Sequence, residues 1–331
     1  MKLSIIIVNY RSWGHLQKAL DSLQPGFPRD WEIVVVDNES EPNTFDEFRH
    51  KYPWVNFVAC ERNVGFGFGC NIGAKHATGS QLLFMNPDVV ANSKNIRSLI
   101  RLKEQHPQIA LLAPKQVNQL GRPQKVYDEF PDLHNQSKIV RGLLRLLWPS
   151  RFGKPPPGDS PIIYCDWVTG SFLLISRDDF DAMGGWSEDY WMYAEDADLC
   201  RRAHDFGKRV AYAPNIQVVH VHGGSSRINV AVKAMTKLEV IISKHAYAQN
   251  HFRGTRRTLM HLLIGFLRLP SLLLMSALDI LTLRMFPGLR VRSRMLVGLL
   301  RYYSGVRRTG SWLSPRAIAN QESASPVQPS P

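Results

Sequence analysis

KLSIIIVN at residues 2–9 and EIVVVD at residues 32–37 decide the fold. Each is a short, β-branched run that ends on a polar residue without alternating, so both of its faces must be covered, as in parallel strands of an α/β layer structure. Between them Leu16, Leu20 and Leu23 repeat at helical spacing over residues 13–23, which completes a βαβ unit. Residues 55–59 and 81–85 read as two more strands, joined through a glycine-rich turn and a short helix over about residues 70–76. A helix over 92–104, a strand over 109–113, a regular stretch over 167–176 and a final strand over 217–222 continue the alternation. The pattern predicts an α/β fold with a doubly wound, mostly parallel sheet, whose ligands bind beyond the carboxyl ends of the strands. Asn9, Asp37, Asn63 and residues 86–88 fall at such ends.

With 331 residues, 44% hydrophobic and 21% charged, the chain buries a sizeable core, which excludes wholesale disorder. Cysteines at 60, 70, 165 and 200 match no zinc or disulfide spacing and point to a reducing compartment. The apolar run over residues 4–8 is too short for a secretory signal. Most of the net charge of +13 sits late in the chain: residues 251–331 hold 12 arginines against only Asp279 and Glu322. Such a cationic tail suits nucleic acid or an anionic membrane surface. Its apolar part, residues 259–286, is interrupted by Arg268, Pro270 and Asp279, which predicts interfacial amphipathic helices bent into a hairpin at Pro270 rather than a spanning segment. A cationic helix over 291–308 follows. The expected organisation is a domain over 1–245 with an inserted loop at 121–158, a basic helical extension over 246–312, and a disordered tail over 313–331.

Four segments carry chemistry. Residues 62–71 (RNVGFGFGCN) crowd glycines, either for close backbone approach to a ligand or for a tight turn into a helix. Asn86-Pro87-Asp88 ends an apolar strand, where it can hold a hard divalent ion with positions left open for phosphate, or can make an Asx turn. Glu195, Asp196 and Asp198 serve equally as helix-start acids or as the source of a general base. The preceding Trp186, Tyr190, Trp191 and Tyr193 form an aromatic wall suited to stacking on a sugar. His220 and His222 share one face of the last strand, placed for a metal or for packing.

In this order the segments resemble the family-2 glycosyltransferases, in particular their bacterial rhamnosyltransferase-like branch, over about residues 1–245. The matching stretches are SIIIVNY (4–10), VVVDNES (34–40), RNVGFGFGCNIG (62–73), LFMNPDV (83–89), the run from 169 to 207, and VVHVHGGSS (218–226). The resemblance implies a GT-A fold and an inverting transfer of a sugar from a nucleoside-diphosphate donor. It places Asn9, Asp37 and Arg62 at base and ribose, and Asn63, Gly65, Phe66, Gly67 and Asn71 near ribose and diphosphate. Asn86 and Asp88 stand where the family often has Asp-x-Asp, so Asp88 would hold Mg or Mn, with His220 preferred over His222 as a further ligand. Asp196 would be the base, Glu195 would contact sugar hydroxyls, and Trp186, Trp191 and Tyr193 would meet the acceptor.

By analogy the donor would be dTDP-L-rhamnose, ahead of UDP- or GDP-sugars. The cationic tail adds an anionic membrane surface and a lipid-linked glycan acceptor of O-antigen or exopolysaccharide assembly, with the protein peripheral on the cytoplasmic face of the membrane. Two other readings compete. One is a non-catalytic sugar-nucleotide-binding protein. The other is a nucleic-acid-binding protein, disfavoured because the tail arginines are interleaved with Leu, Met and Phe and no nucleic-acid motif is present.

Overall fold

A computed structural model describes residues 2–39, 42–149, 160–221 and 229–324. They fall into two compact units. The first gathers residues 2–39, 42–130, 161–191 and 195–221; the second gathers 131–149, 160, 192–194 and 229–324.

The first unit is built on a nine-stranded mixed sheet in the order β3-β2-β1-β4-β10-β6-β11-β5, with β8 also paired to β11. Strands β1 (Leu3–Asn9), β2 (Trp31–Asn38), β3 (Asn56–Cys60) and β4 (Gln81–Met85) are parallel, with Asn9 in register with Asp37. Strand β10 (Phe172–Ser176) runs antiparallel to β4 and to β6 (Ile109–Val117), and β11 (Arg209–His220) runs parallel to β6. Two antiparallel steps restore direction, so β1, β2, β4, β6 and β11 all end at the same edge. The sheet is thus less uniformly parallel than expected, because β10 enters between β4 and β6. Two-residue strands β5 (Val89–Val90) and β8 (Ile163–Tyr164) each pair antiparallel with β11, while β7 (Tyr127–Asp128) and β9 (Trp167–Val168) form a separate ribbon.

The continuous apolar runs are explained by two cores. Leu3, Ile5, Ile7, Ile33 and Val35 point to one face with Leu16, Leu20 and Leu23 of α1 (Trp13–Leu23) and Ile96 and Leu99 of α4 (Ser93–Glu104). Ile6, Val8, Val34 and Val36 point to the other, against Cys70 and Ala74 of α3 (Phe66–His76), Phe180 of α6 (Arg177–Ala182) and Leu199 and Ala203 of α7 (Glu195–Asp205). Helix α2 (Pro42–Lys51) precedes β3. Strand β11 begins eight residues before the expected final strand, and its register shifts between Ala213 and Gln217, where Pro214 cannot donate to a ladder.

The second unit is helical: α5 (Lys138–Leu147), α8 (Val230–His251), α9 (Gly254–Leu281), α10 (Pro287–Thr309) and α11 (Pro315–Ala324). Three expectations are corrected here. Helix α9 continues through Pro270, and the hairpin turns instead at residues 282–286, where Leu283 and Arg284 take positive φ. By length and composition alone, α9 is long and apolar enough to cross a membrane. Helix α11 occupies much of the stretch expected to be disordered, with Ala317 and Asn320 buried, and α8 runs unbroken through the expected boundary at 245. The inserted loop contains the capped helix α5; residues 150–159 lie outside the described residues.

The core of this unit joins Ile241 and Ile242 to Met260, Ile264, Met295 and Leu299. A stacked polar cluster joins it: His245 and His261 bring their Nδ1 atoms to 2.9 Å, and Trp312 lies flat on His261 at 3.9 Å. Burial holds both imidazoles neutral, His245 at about 3 and His261 at about 4.

Candidate active site

The site is assembled at the shared carboxyl edge of the sheet. At the end of β1, Asn9 donates through Nδ2 to Asp37 Oδ1 at 3.2 Å, and Asn9 Oδ1 is buried with no hydrogen-bond partner among the described residues. Neighbouring Asn38 organises the glycine loop. Its Oδ1 accepts from Val64 N at 2.8 Å, and its Nδ2 donates to Asn63 Oδ1 and to Gly65 O, each at 3.1 Å. Asn63 is thereby held in place, whereas Arg62 is exposed.

Packing, more than ligand approach, accounts for the glycines. Gly65 sits at φ +84°, and a Cβ there would lie 2.2 Å from Trp191 O, whose carbonyl accepts from Phe66 N at 3.0 Å. A Cβ on Gly73 would lie 2.4 Å from Ile6 Cγ2, so α3 can lie against β1 only without one. Gly67 faces Ser187 O and Trp186. Asn71, expected near the ribose, clamps the segment that follows: its Nδ2 donates to Trp186 O at 2.9 Å and to Glu188 Oε1 at 3.0 Å, and its Oδ1 accepts from Trp186 N at 2.9 Å.

The aromatic wall is redistributed. Trp186 is only 1% exposed, packed edge-on against Phe66 and Phe84 in the core, and Trp191 is buried too. Neither offers a ring face to a sugar; an aromatic run cannot reveal from sequence which face of the chain is covered. Tyr193 groups with the helical unit and is partly exposed.

Asp88 reaches its place through a short hairpin. Asn86 N donates to Ser171 O at 2.8 Å, the turn at 86–88 leads into β5, and β5 pairs with β11 so that His220 opposes Val89. His220 Nε2 lies 3.1 Å from Asp88 Oδ1, and His220 Nδ1 lies 2.7 Å from Gln116 Oε1. The Gln116 amide orients the imidazole so that Nε2 points at the Asp88 carboxylate. One carboxylate with one imidazole is a sound donor pair for a divalent ion, which the two side chains could hold as neighbouring ligands. Among the described residues no third His, Cys, Asp or Glu joins them, and His222 lies outside the described residues.

Glu195 and Asp196 open α7 after two successive non-glycine residues in the left-handed region, Tyr193 at φ +72° and Ala194 at φ +66°. Arg11 and Glu39, just beyond β1 and β2, also take positive φ, so backbone strain collects at this edge. Asp196 accepts from Ala197 N at 2.8 Å and from Gly170 N at 3.3 Å. Burial nevertheless lifts its carboxyl to about 6. Glu195 is buried, with Oε2 lacking a partner among the described residues, and burial followed by the charge of Asp196 pushes its carboxyl well above the usual range. Asp196 is therefore the member that ionises near neutrality. Asp198 is structural: it accepts from Tyr190 OH at 3.3 Å and pairs with Arg202 at 2.8 Å.

Sequence reasoning missed Asn38 and Gln116. Asn38 stands beside the recognised Asp37, and Gln116 is a lone amide in an otherwise largely apolar strand, which was the available signal.

Asn9 and Asp37 at the strand edge, a carboxylate–imidazole pair and an acidic helix start lie together on a sheet of the GT-A type. Residues 4–159 match the family model "Glycosyl transferase family 2". The chain is 26% identical over 240 residues to the N-acetylglucosaminyl-diphospho-decaprenol L-rhamnosyltransferase of Mycobacterium tuberculosis, covering 66% of this chain and 75% of that one. It is 25% identical over 224 residues to Rhamnosyltransferase WbbL of Escherichia coli, covering 65% and 82%. Among solved structures, GalNAc-T7 with UDP, GalNAc and Mn2+ superposes with a TM-score of 0.54 at 17% identity, covering 76% of this chain and 50% of that one, and so shares the fold. Over its N-terminal part the chain thus resembles the family-2 glycosyltransferases, rhamnosyltransferases among them.

Proposed function

We propose that the protein transfers a sugar, with L-rhamnose from dTDP-L-rhamnose as the first candidate, from a nucleoside-diphosphate donor to a lipid-linked glycan acceptor with inversion at the anomeric carbon. The observation that carries the reaction class is Asp196: a half-buried carboxylate raised to about 6, anchored by two backbone N–H groups and flanked by a Glu195 that keeps its proton. Asp196 accepts the proton of the acceptor hydroxyl as that oxygen bonds the anomeric carbon and the carbon–phosphate oxygen bond breaks. One base and one displacement give inversion. Asp37 and Asn9 line the donor end, and Asn38 fixes the loop carrying Asn63 beside it. Asp88 and His220 would hold a divalent ion, which when bound would supply charge neutralisation for the departing diphosphate.

The relatives' names support the donor and acceptor: the mycobacterial protein is an L-rhamnosyltransferase acting on a diphospho-decaprenol-linked sugar. The solved relative with UDP and Mn2+ supports a nucleotide and a metal. The arginine-rich helical unit, with Leu281, Leu283, Met285 and Phe286 exposed at the α9–α10 turn, supports a peripheral position on the cytoplasmic face of an anionic membrane. The test is thermal melting of the purified protein with dTDP, UDP or GDP, each with and without Mn2+. Metal-dependent stabilisation by one diphosphate is expected. Folded protein that responds to none would sink the donor site and every role assigned to it.

A further inference from the structure

Helix α5 is unlike the other helices in having no buried residue. At the α-helical repeat, Ile139, Val140, Leu143, Leu146 and Leu147 fall on one broad face, and Lys138, Arg141 and Arg145 on the opposite one. The apolar face is turned to solvent: Ile139 and Leu146 are each 76% exposed, and Trp148 at the C-cap is 53% exposed. An apolar helix face left exposed in this way marks an interaction site.

The helix is preformed and anchored. Ser137 Oγ accepts from Val140 N at its start, and the preceding turn is closed by a reciprocal cap between Asp132 and Asn135. Asp132 pairs with Arg256 at 2.5 Å, and Gln136 Oε1 accepts from Lys244 Nζ at 3.0 Å, which ties the base of α5 to α9 and α8 within the same unit.

Resting on the membrane position proposed above, we infer that α5 is a second interfacial anchor, separate from the α9–α10 hairpin, which lays its apolar face into an anionic phospholipid surface. Charge complementarity selects this occupant. Residues 137–149 contain three cations and no acid, so the polar face opposite the apolar one carries the sign of charge that anionic headgroups attract, the pattern of an interfacial helix. Trp148 stands at the end of the helix, where an amphipathic ring prefers the headgroup level.

The test uses the full chain and sedimentation with vesicles of phosphatidylglycerol mixed with phosphatidylcholine, or of phosphatidylcholine alone. The variant Leu143→Glu/Leu146→Glu changes two exposed positions, so its circular dichroism and melting should match the parent. Its affinity for the anionic vesicles should fall at least roughly tenfold, since each buried apolar side chain contributes to partition. Unchanged affinity in that variant, together with loss in Leu281→Glu/Leu283→Glu, would overturn the role of α5 while leaving the hairpin's role intact. A parent chain that binds neither vesicle would overturn both, and equal binding to phosphatidylcholine alone would overturn the anionic preference. A dimer in sedimentation equilibrium that the α5 variant dissociates would assign the face to a second copy of the chain and overturn the lipid assignment.

Discussion

Asp196 and Glu195 are adjacent in sequence yet titrate apart: burial raises both, but backbone donors hold Asp196 down while the charges of Asp196 and Asp198 push Glu195 further up. Asp196 lifted to about 6 predicts an acid limb in the pH dependence of kcat/KM near that value, checked by steady-state assays across pH. Asp196→Asn should lower kcat by roughly 10²–10⁴-fold and leave nucleotide affinity unchanged. It should also melt higher than the parent near neutral pH. The folded-state carboxyl ionises above its ordinary 3.8, so ionisation costs stability as pH rises from about 4 through about 6, and the amide removes that cost. At the other pole, Gln116→Leu removes the hydrogen-bond partner that orients His220, and Mn2+ affinity measured with nucleotide should weaken roughly 10–100-fold. The residue types of the site were legible in the sequence as Asp88, His220 and the Glu-Asp pair. Gln116 and the burial of Trp186 were not, since each depends on which strand or helix lies opposite.

At the scale of elements, β1, α1 and β2 could be read almost to the residue, because uninterrupted β-branched runs and a Leu stripe leave few alternatives. Strand β5, which delivers Asp88 to His220, was invisible: two residues carry no periodicity and exist as a strand only through β11. Helix α3 starts a turn earlier than expected because Gly67 and Gly69 serve close packing, which outweighs their poor helix propensity. Gly73→Ala should therefore cost roughly 1–3 kcal/mol, read by chemical denaturation, since its Cβ would meet Ile6 of the central strand. Pro270 misled in the opposite direction. It removes one intrahelical donor from α9, and a helix of 28 residues continues past that loss.

For the molecule as a whole, the uneven charge separated a near-neutral catalytic body from an arginine-rich helical part, but not where one ends. Helix α8 carries Glu239, Ile242 and His245 into the same packed unit as the tail, so the boundary lies before residue 230 rather than at 245. If the hairpin turn meets lipid, Leu281→Glu/Leu283→Glu should move the protein from the membrane pellet to the soluble fraction with its melting temperature unchanged, since both side chains already face solvent.

The helical unit draws on three separate stretches of chain, one of them only the tripeptide Met192–Ala194 immediately ahead of the acidic pair. It is therefore not a cassette. No single fusion joint can lend it to another enzyme, and no single proteolytic nick can release it whole. Transplanting it between relatives would require exchanging the inserted segment, the tripeptide and the tail together.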